Sequence, residues 1–310
     1  QTIHQFPDPT WVENIAIRPN GQILVDLVTT PDMYLLDPHP NSTATLIHSF
    51  SSDHAVLGLT ETTPDMFHLI ASNFTLTPPT IANGTDSIWT VDLTSYDHKT
   101  NTGAKIHQVV LIPESDLLNG LSTLSPEKGL IVAADSFKGV IWLINVNTGA
   151  YSILFQDPAL APTSPEPSGL SVNGIRVLPP SAHNNDTAWI YFDNTAKATF
   201  NRVPISLSAL KATAAVQQLA SNISIDDFAL DPERGYAYVA AGAINQVFRI
   251  PLEGGTPEYV FGGLNSTVIP NPTSVAVAGE GRIYVTTTGG IESPVNGTYR
   301  EGGKVVSYEL

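Results

Sequence analysis

Six segments of the chain share one pattern: an apolar strand, a turn built from Gly, Pro, Asn or Asp, and a second apolar strand. They begin at Ile15 (IAIRPNGQILVDL), Leu57 (LGLTETTPDMFHLIAS), Asn119 (NGLSTLSPEKGLIVAAD), Asn173 (NGIRVLPPSAHNNDTAWIYFD), Asp227 (DFALDPERGYAYVAA) and Thr273 (TSVAVAGEGRIYVTTTGG). Their starts lie roughly 40–60 residues apart, the period of a propeller blade. Further strand-like runs follow, among them SIWTVDL, GVIWLINV and KIHQVVLI. NVNTGAYSILF at 145–155 predicts a hairpin, with Asn-Thr-Gly between two β-rich runs. Leu207–Leu219 is the best helical candidate and reads equally well as loop and strand. The expectation is an all-β, six-bladed β-propeller spanning residues 1–310 as a single domain, because blades share one continuous core. QTIHQF at the start and KVVSYEL at the end are both strand-like, so the two termini should complete one blade and close the ring.

Two insertions break the period. Residues 73–87 (NFTLTPPTIANGTDS) are polar and read as a surface loop; residues 156–172 (QDPALAPTSPEPSGLSV) are Pro-rich and precede an inner strand, as a lid or a stiff connector would.

Composition narrows the functional classes. The chain is 42% apolar and 14% charged, enough for a large core and too little charge for disorder. A net charge of −15 with 14 Lys and Arg disfavours binding to nucleic acid or to an anionic membrane. The acidic balance serves solubility or a divalent-cation preference. Without cysteine there are no disulfides, thiolate nucleophiles or Cys-based zinc sites. There is no apolar run long enough to span a membrane. Asn-X-Ser/Thr occurs at Asn41, Asn73, Asn83, Asn185, Asn222, Asn265 and Asn296. About three such sequons would be expected by chance, so the excess points to the secretory pathway or a secreted protein carrying N-glycans. A start at Gln1 fits a mature form from which a leader has been removed.

No nucleophile elbow, dinucleotide fingerprint or P-loop is present, and the eight His show no metal-binding spacing. The starts of the units, however, hold polar residues where a plain core would be small and apolar. Glu13 follows Trp11; Asn119 and Asn173 open two units; Asp193 and Asn194 end a strand; Asp226 and Asp227 precede another. In a propeller these places converge on the central channel. Oxygen ligands of this kind suit calcium or magnesium. The same groups could polarise a substrate carbonyl, or serve as turn residues.

FPDPTWVENIAIRPNGQILV, VNGIRVL, IYFDNT and IDDFALD resemble the fungal branch of the senescence-marker-protein/gluconolactonase-like six-bladed propellers, over nearly the whole chain. The resemblance implies a central divalent cation held by Glu13, Asn173 and Asp226, with Asn119 binding substrate. Where that family has Pro-Asp-Gly, this chain has Ile225-Asp226-Asp227, so either aspartate could face the channel. Among fungal relatives, the chain looks most like the hetero-Diels–Alderases of tropolone–sesquiterpenoid biosynthesis. These join a tropolone o-quinone methide to the alkene of a humulene-type alcohol and form a dihydropyran. That resemblance implies apolar polyketide and terpenoid substrates and no required cofactor. Catalytic roles would fall to Glu13, Asn173, Asn194 and Asp226, and substrate binding to Trp11, Asn119, Asp193 and Asp227. The alternatives are a calcium-dependent lactonase or esterase and a non-catalytic ligand-binding propeller.

Overall fold

Strands that read as continuous apolar runs should be buried on both faces, and a ring of blades does this. The computed structural model describes residues 1–50, 54–76, 79–163, 170–181 and 185–310. Each repeat is the inner half of an antiparallel sheet, and six such sheets make the propeller. The innermost strands are Val12–Ile17, Ala55–Thr63, Leu118–Ser125, Val172–Leu178, Phe228–Asp231 and Pro272–Ala278, which we number as blades one to six. Each inner strand touches the next, and blade six meets blade one. Thr2–Gln5 pairs with the C-terminal strand Lys304–Glu309, so the two ends of the chain close blade six as expected.

The core lies between the blades, in six apolar clusters, five of which draw on two neighbours while the one between blades two and three also takes in Trp11 and Val28 of blade one. Leu130–Asp135 of blade three shows the rule. Ile131 and Ala133 pack towards blade two, while Leu130, Val132 and Ala134 pack towards blade four. Successive side chains of a strand point to opposite faces, so a strand sandwiched in this way must be apolar at every position.

The predicted hairpin at 145–155 is present, joining Val140–Asn145 to Tyr151–Gln156. Leu207–Leu219 is not helical: it forms turns with the short strand Lys211–Ala212 and the start of Gln217–Ser221. Its Ala-rich composition raises helix propensity only slightly, and pairing with the blade-four strand Thr199–Ser206 outweighs it. The insertion at 73–87 is more than a polar surface loop. Phe74–Leu76 pairs with Pro79–Ile81 as a small ribbon, and Phe74, Leu76 and Ile81 line the central cavity. The centre of the Pro-rich segment, 164–169, lies outside the described residues; on either side of it Leu160 is fully buried and Leu170 reaches the cavity.

One local device recurs. In five blades the pairing of the inner strand slips by a bulge near its start: Val12 to Ile15, Val56 to Leu59, Leu118 to Leu121, Val172 to Ile175 and Pro272 to Val275. A bulge leaves residues outside the ladder and re-aims their side chains. The bulged pairs include Glu13–Asn14, Leu57–Gly58, Asn119–Gly120 and Asn173–Gly174, and Asp226–Asp227 takes the same place just before the blade-five strand. Neighbouring inner strands approach closely here. A Cβ on Gly58 would lie 2.3 Å from the Asn119 carbonyl oxygen, and one on Gly120 2.3 Å from that of Asn173.

Candidate functional site

The bulged starts converge on one end of the channel, where a cavity of about 500 Å³ opens. Its two sides differ. Blades one to four and their connections supply an apolar wall that includes Val28, Leu57, Phe74, Leu76, Leu117 and Phe137. Blades five and six, joined by Glu13 of blade one, supply a polar wall with Asp226, Asn271, Glu292, Ser224 and Ser293. Trp11 and Asn119 also line the cavity.

Glu13 is buried and accepts a hydrogen bond from Trp11 Nε1 on its Oε2. Burial pushes its carboxyl up to about 8; the Trp11 bond works against this, and the nearby carboxylates Asp26, Asp227 and Glu292 add to it. Burial thus favours the protonated carboxyl, the form that can donate a hydrogen bond. Asp226 is raised as well, first by burial and then by Glu13 and Glu292, although Asn173 opposes the shift. Glu292, on the blade-six loop, is solvent-accessible, yet surrounding protein still raises its carboxyl by desolvation.

Asn119 is 5% exposed and lines the cavity, and no described residue hydrogen-bonds its side-chain amide. Its amide opens onto the cavity with its hydrogen-bonding capacity unused by the described residues, so a ligand atom there could engage it. Asn173 works one step back: its Nδ2 donates to Asp226 Oδ1 at 2.8 Å and to Thr195 Oγ1 at 3.1 Å, and it is not part of the lining. It positions Asp226.

The adjacent aspartates divide the labour. Asp226 faces the cavity, whereas Asp227 ties the channel beneath it together. Asp227 Oδ2 accepts from Arg176 Nη2 at 2.6 Å, Asn14 Nδ2 at 3.0 Å and Ser274 Oγ at 3.1 Å, and its Oδ1 accepts from the Phe228 amide at 2.7 Å. These partners come from blades one, four, five and six. Asp227 is thus a structural tie and not a substrate-binding group.

Two other expected site residues are corrected by their hydrogen bonds. Asn194 Nδ2 donates to the carbonyls of Ala159 and Ala161, at 3.0 and 3.1 Å, and its Oδ1 accepts from the Lys197 amide at 3.0 Å. It braces a connection and has no donor left for the cavity. Asp193 is fully buried, and its Oδ1 accepts the Gly174 amide at 2.7 Å, which holds the blade-four bulge. Asp26 does the same for the Asn14 amide at 2.8 Å, and Thr286 Oγ1 for the Ser274 amide at 3.0 Å. Glu292, Thr195 and the apolar ribbon residues were missed. Glu292 sits in the long connection between Thr287 and Lys304, and the ribbon was signalled by the alternation of Phe74 and Leu76 within a polar stretch.

The chain is similar to a Phoma sp protein provisionally named a hetero-Diels-Alderase, 26% identical over 297 residues, a match covering 88% of this chain and 81% of that protein. It is similar too to asR5 of Sarocladium schorii, which carries the same provisional name, at 25% identity over 309 residues covering 88% of this chain and 73% of that one. The chain is a homologue of these proteins. No protein-family profile matches it. Among solved structures, regucalcin from Agrobacterium tumefaciens, a calcium-binding protein, superposes with a TM-score of 0.61 at 14% identity, covering 98% of this chain and 92% of that one, which is a likeness of fold.

The propeller resemblance raises the question of a resident cation. Glu13, Asn173 and Asp226 lie near one another, but Asn173 turns its Nδ2 donor, not its oxygen, towards Asp226, and Trp11 engages Glu13. Among the described residues no group of three His, Cys, Asp or Glu side chains is placed to hold a metal ion. Asn173 would have to reverse its amide to offer an oxygen beside the Glu13 and Asp226 carboxylates. Among the described residues no helix is long and apolar enough to cross a membrane.

Proposed function

We propose that this chain is an enzyme of the hetero-Diels–Alder class. It would bind a tropolone o-quinone methide and the alkene of a humulene-type sesquiterpene and close them to a dihydropyran. The reading is carried by one observation: a single cavity pairs an extended apolar wall with a buried carboxyl whose protonated form is favoured by burial, in a chain homologous to proteins provisionally named for this reaction. The cycloaddition forms one C–C and one C–O bond, expels no leaving group and transfers no proton. What it needs from a protein is near-attack placement, exclusion of water and donors on the heterodiene oxygen.

The apolar wall suits the hydrocarbon partner. The protonated Glu13 carboxyl and the Asn119 amide suit the oxygens of the tropolone, where their hydrogen bonds draw electron density from the heterodiene. Trp11 holds Glu13 in place, and Asn173 holds Asp226.

The test is to incubate the purified protein with a quinone methide precursor and the alkene. An increase in rate together with one dominant stereoisomer is expected. If neither rate nor stereochemistry differs from the protein-free control, the reading is wrong. A parallel assay with lactones, with added calcium and with a chelator, separates it from hydrolysis: turnover that needs calcium would favour the lactonase.

A further inference from the structure

The proposed reaction makes no use of the seven Asn-X-Ser/Thr sequons, and their placement is not random. Among the described residues seven asparagines are buried: Asn14, Asn119, Asn173, Asn194, Asn201, Asn245 and Asn271. None of them opens a sequon. Asn271 alone is followed two residues on by a hydroxyl, Thr273, and there Pro272 occupies the middle position, which blocks the acceptor motif. The seven sequon asparagines all lie in connections outside the strands, and six of them are exposed; Asn73 is half-buried, with an enclosed Oδ1 that has no partner.

Turn preference does not account for this. Asn41, Asn222 and Asn296 adopt left-handed conformations, with φ of 55°, 62° and 55°, which Asn tolerates well. A left-handed turn, however, does not call for a hydroxyl two residues later. Asn101 and Asn245 occupy left-handed turns too, at φ of 51° and 55°, and carry none. Among the described asparagines with a permitted middle residue, the hydroxyl accompanies exposed positions, where a bulky glycan would not disturb packing, in every case but Asn73.

We infer that this protein carries N-linked glycans at Asn41, Asn83, Asn185, Asn222, Asn265 and Asn296, leaves Asn73 unmodified, and accordingly folds in the secretory pathway. Five of the seven sequons, all but Asn41 and Asn185, sit on connections at the cavity end of the propeller. Glycans at the occupied ones would stand around the mouth. Asn73 and Asn83 both belong to the connection that carries the ribbon, so the chain discriminates between two sequons ten residues apart by exposure alone.

The experiment takes protein isolated from the cells that make it and removes N-glycans with peptide-N-glycosidase in heavy-oxygen water. Peptide mapping then reads each labelled Asn-to-Asp conversion. Labelling at the six exposed positions and none at Asn73 is expected. An unmodified intact mass overturns the inference, and labelling at Asn73 overturns the exposure rule behind it. Thr43→Ala and Thr298→Ala, neither of them a lining residue of the cavity, should each remove one mobility step on a denaturing gel from protein routed through the same pathway; unchanged mobility counts against the assignment at Asn41 or Asn296. The outcome is independent of any assay of cycloaddition.

Discussion

The mouth of the channel and the layer just beneath it are built from the same residue types with opposite results. At the mouth, Glu13, Asp226 and Asn119 keep polar atoms turned to an open cavity. One residue deeper, Asn14 and Asp227 are joined with Arg176 and Ser274 into a closed network. Sequence neighbours such as Asp226 and Asp227 fall on opposite sides of this divide. What separates a binding group from a brace here is the number of hydrogen bonds already made, and not the identity of the side chain.

That contrast can be broken most sharply in the lower layer. Asp227→Ala would leave Arg176, whose side chain is 18% exposed, without its counter-charge. Breaking such a pair should cost about 3–5 kcal/mol of stability, read by denaturant unfolding. A loss below 1 kcal/mol would show that the network is not the tie described.

At the mouth the same kind of truncation should strike activity instead. Glu13→Ala should slow the proposed cycloaddition roughly 10²-fold, the effect of losing one placed donor, whereas Glu13→Gln, which still carries N–H donors, should retain more. The wild-type rate should fall as pH rises through about 8, where Glu13 loses its proton. Equal loss in both variants, with a flat pH profile, would remove Glu13 from the donor role.

Stability should also report the mouth. Glu13 binds its proton more tightly folded, near 8, than unfolded, near 4.5, so the folded state is favoured below that window and loses stability as pH rises through it. Asp26, Asp193 and Asp226 are raised in the same direction by burial and add to the slope. Glu13→Gln should flatten the slope by on the order of 1–2 kcal/mol between pH 5 and 8, after allowing for cavity water. Thermal unfolding across pH checks this; a variant as pH-sensitive as the parent refutes it.

The smallest effect is expected at Asn119, whose side-chain amide makes no hydrogen bond to a described residue. Asn119→Ala should slow turnover about tenfold, equivalent to 1.4 kcal/mol, and leave stability within about 0.5 kcal/mol of the parent. A large loss of stability with normal turnover would make it a brace like Asn194.

Much of this molecule was legible in the chain. The six repeats, the closure by the two termini and the hairpin at 145–155 follow from apolar runs and turn residues, which are local signals. The polar starts of the inner strands lie at the end of the channel where the cavity opens, because equivalent positions in a propeller converge. What could not be read was which of those residues remains free. Asn194 and Asn119 are the same amide at similar strand ends, but only the connection at 159–161 folding back onto Asn194 uses up its donors. Phe74, Leu76 and Glu292 join the site from connections whose paths are set by distant contacts. Strand pattern and blade count depend on each segment's own alternation of side chains, so the sequence by itself determined them. The bulges that aim Glu13 and Asn119 into the cavity, the burial that raises the Glu13 carboxyl, and the separation of Asp226 from Asp227 depend on neighbours far along the chain, and those only the tertiary structure brings together.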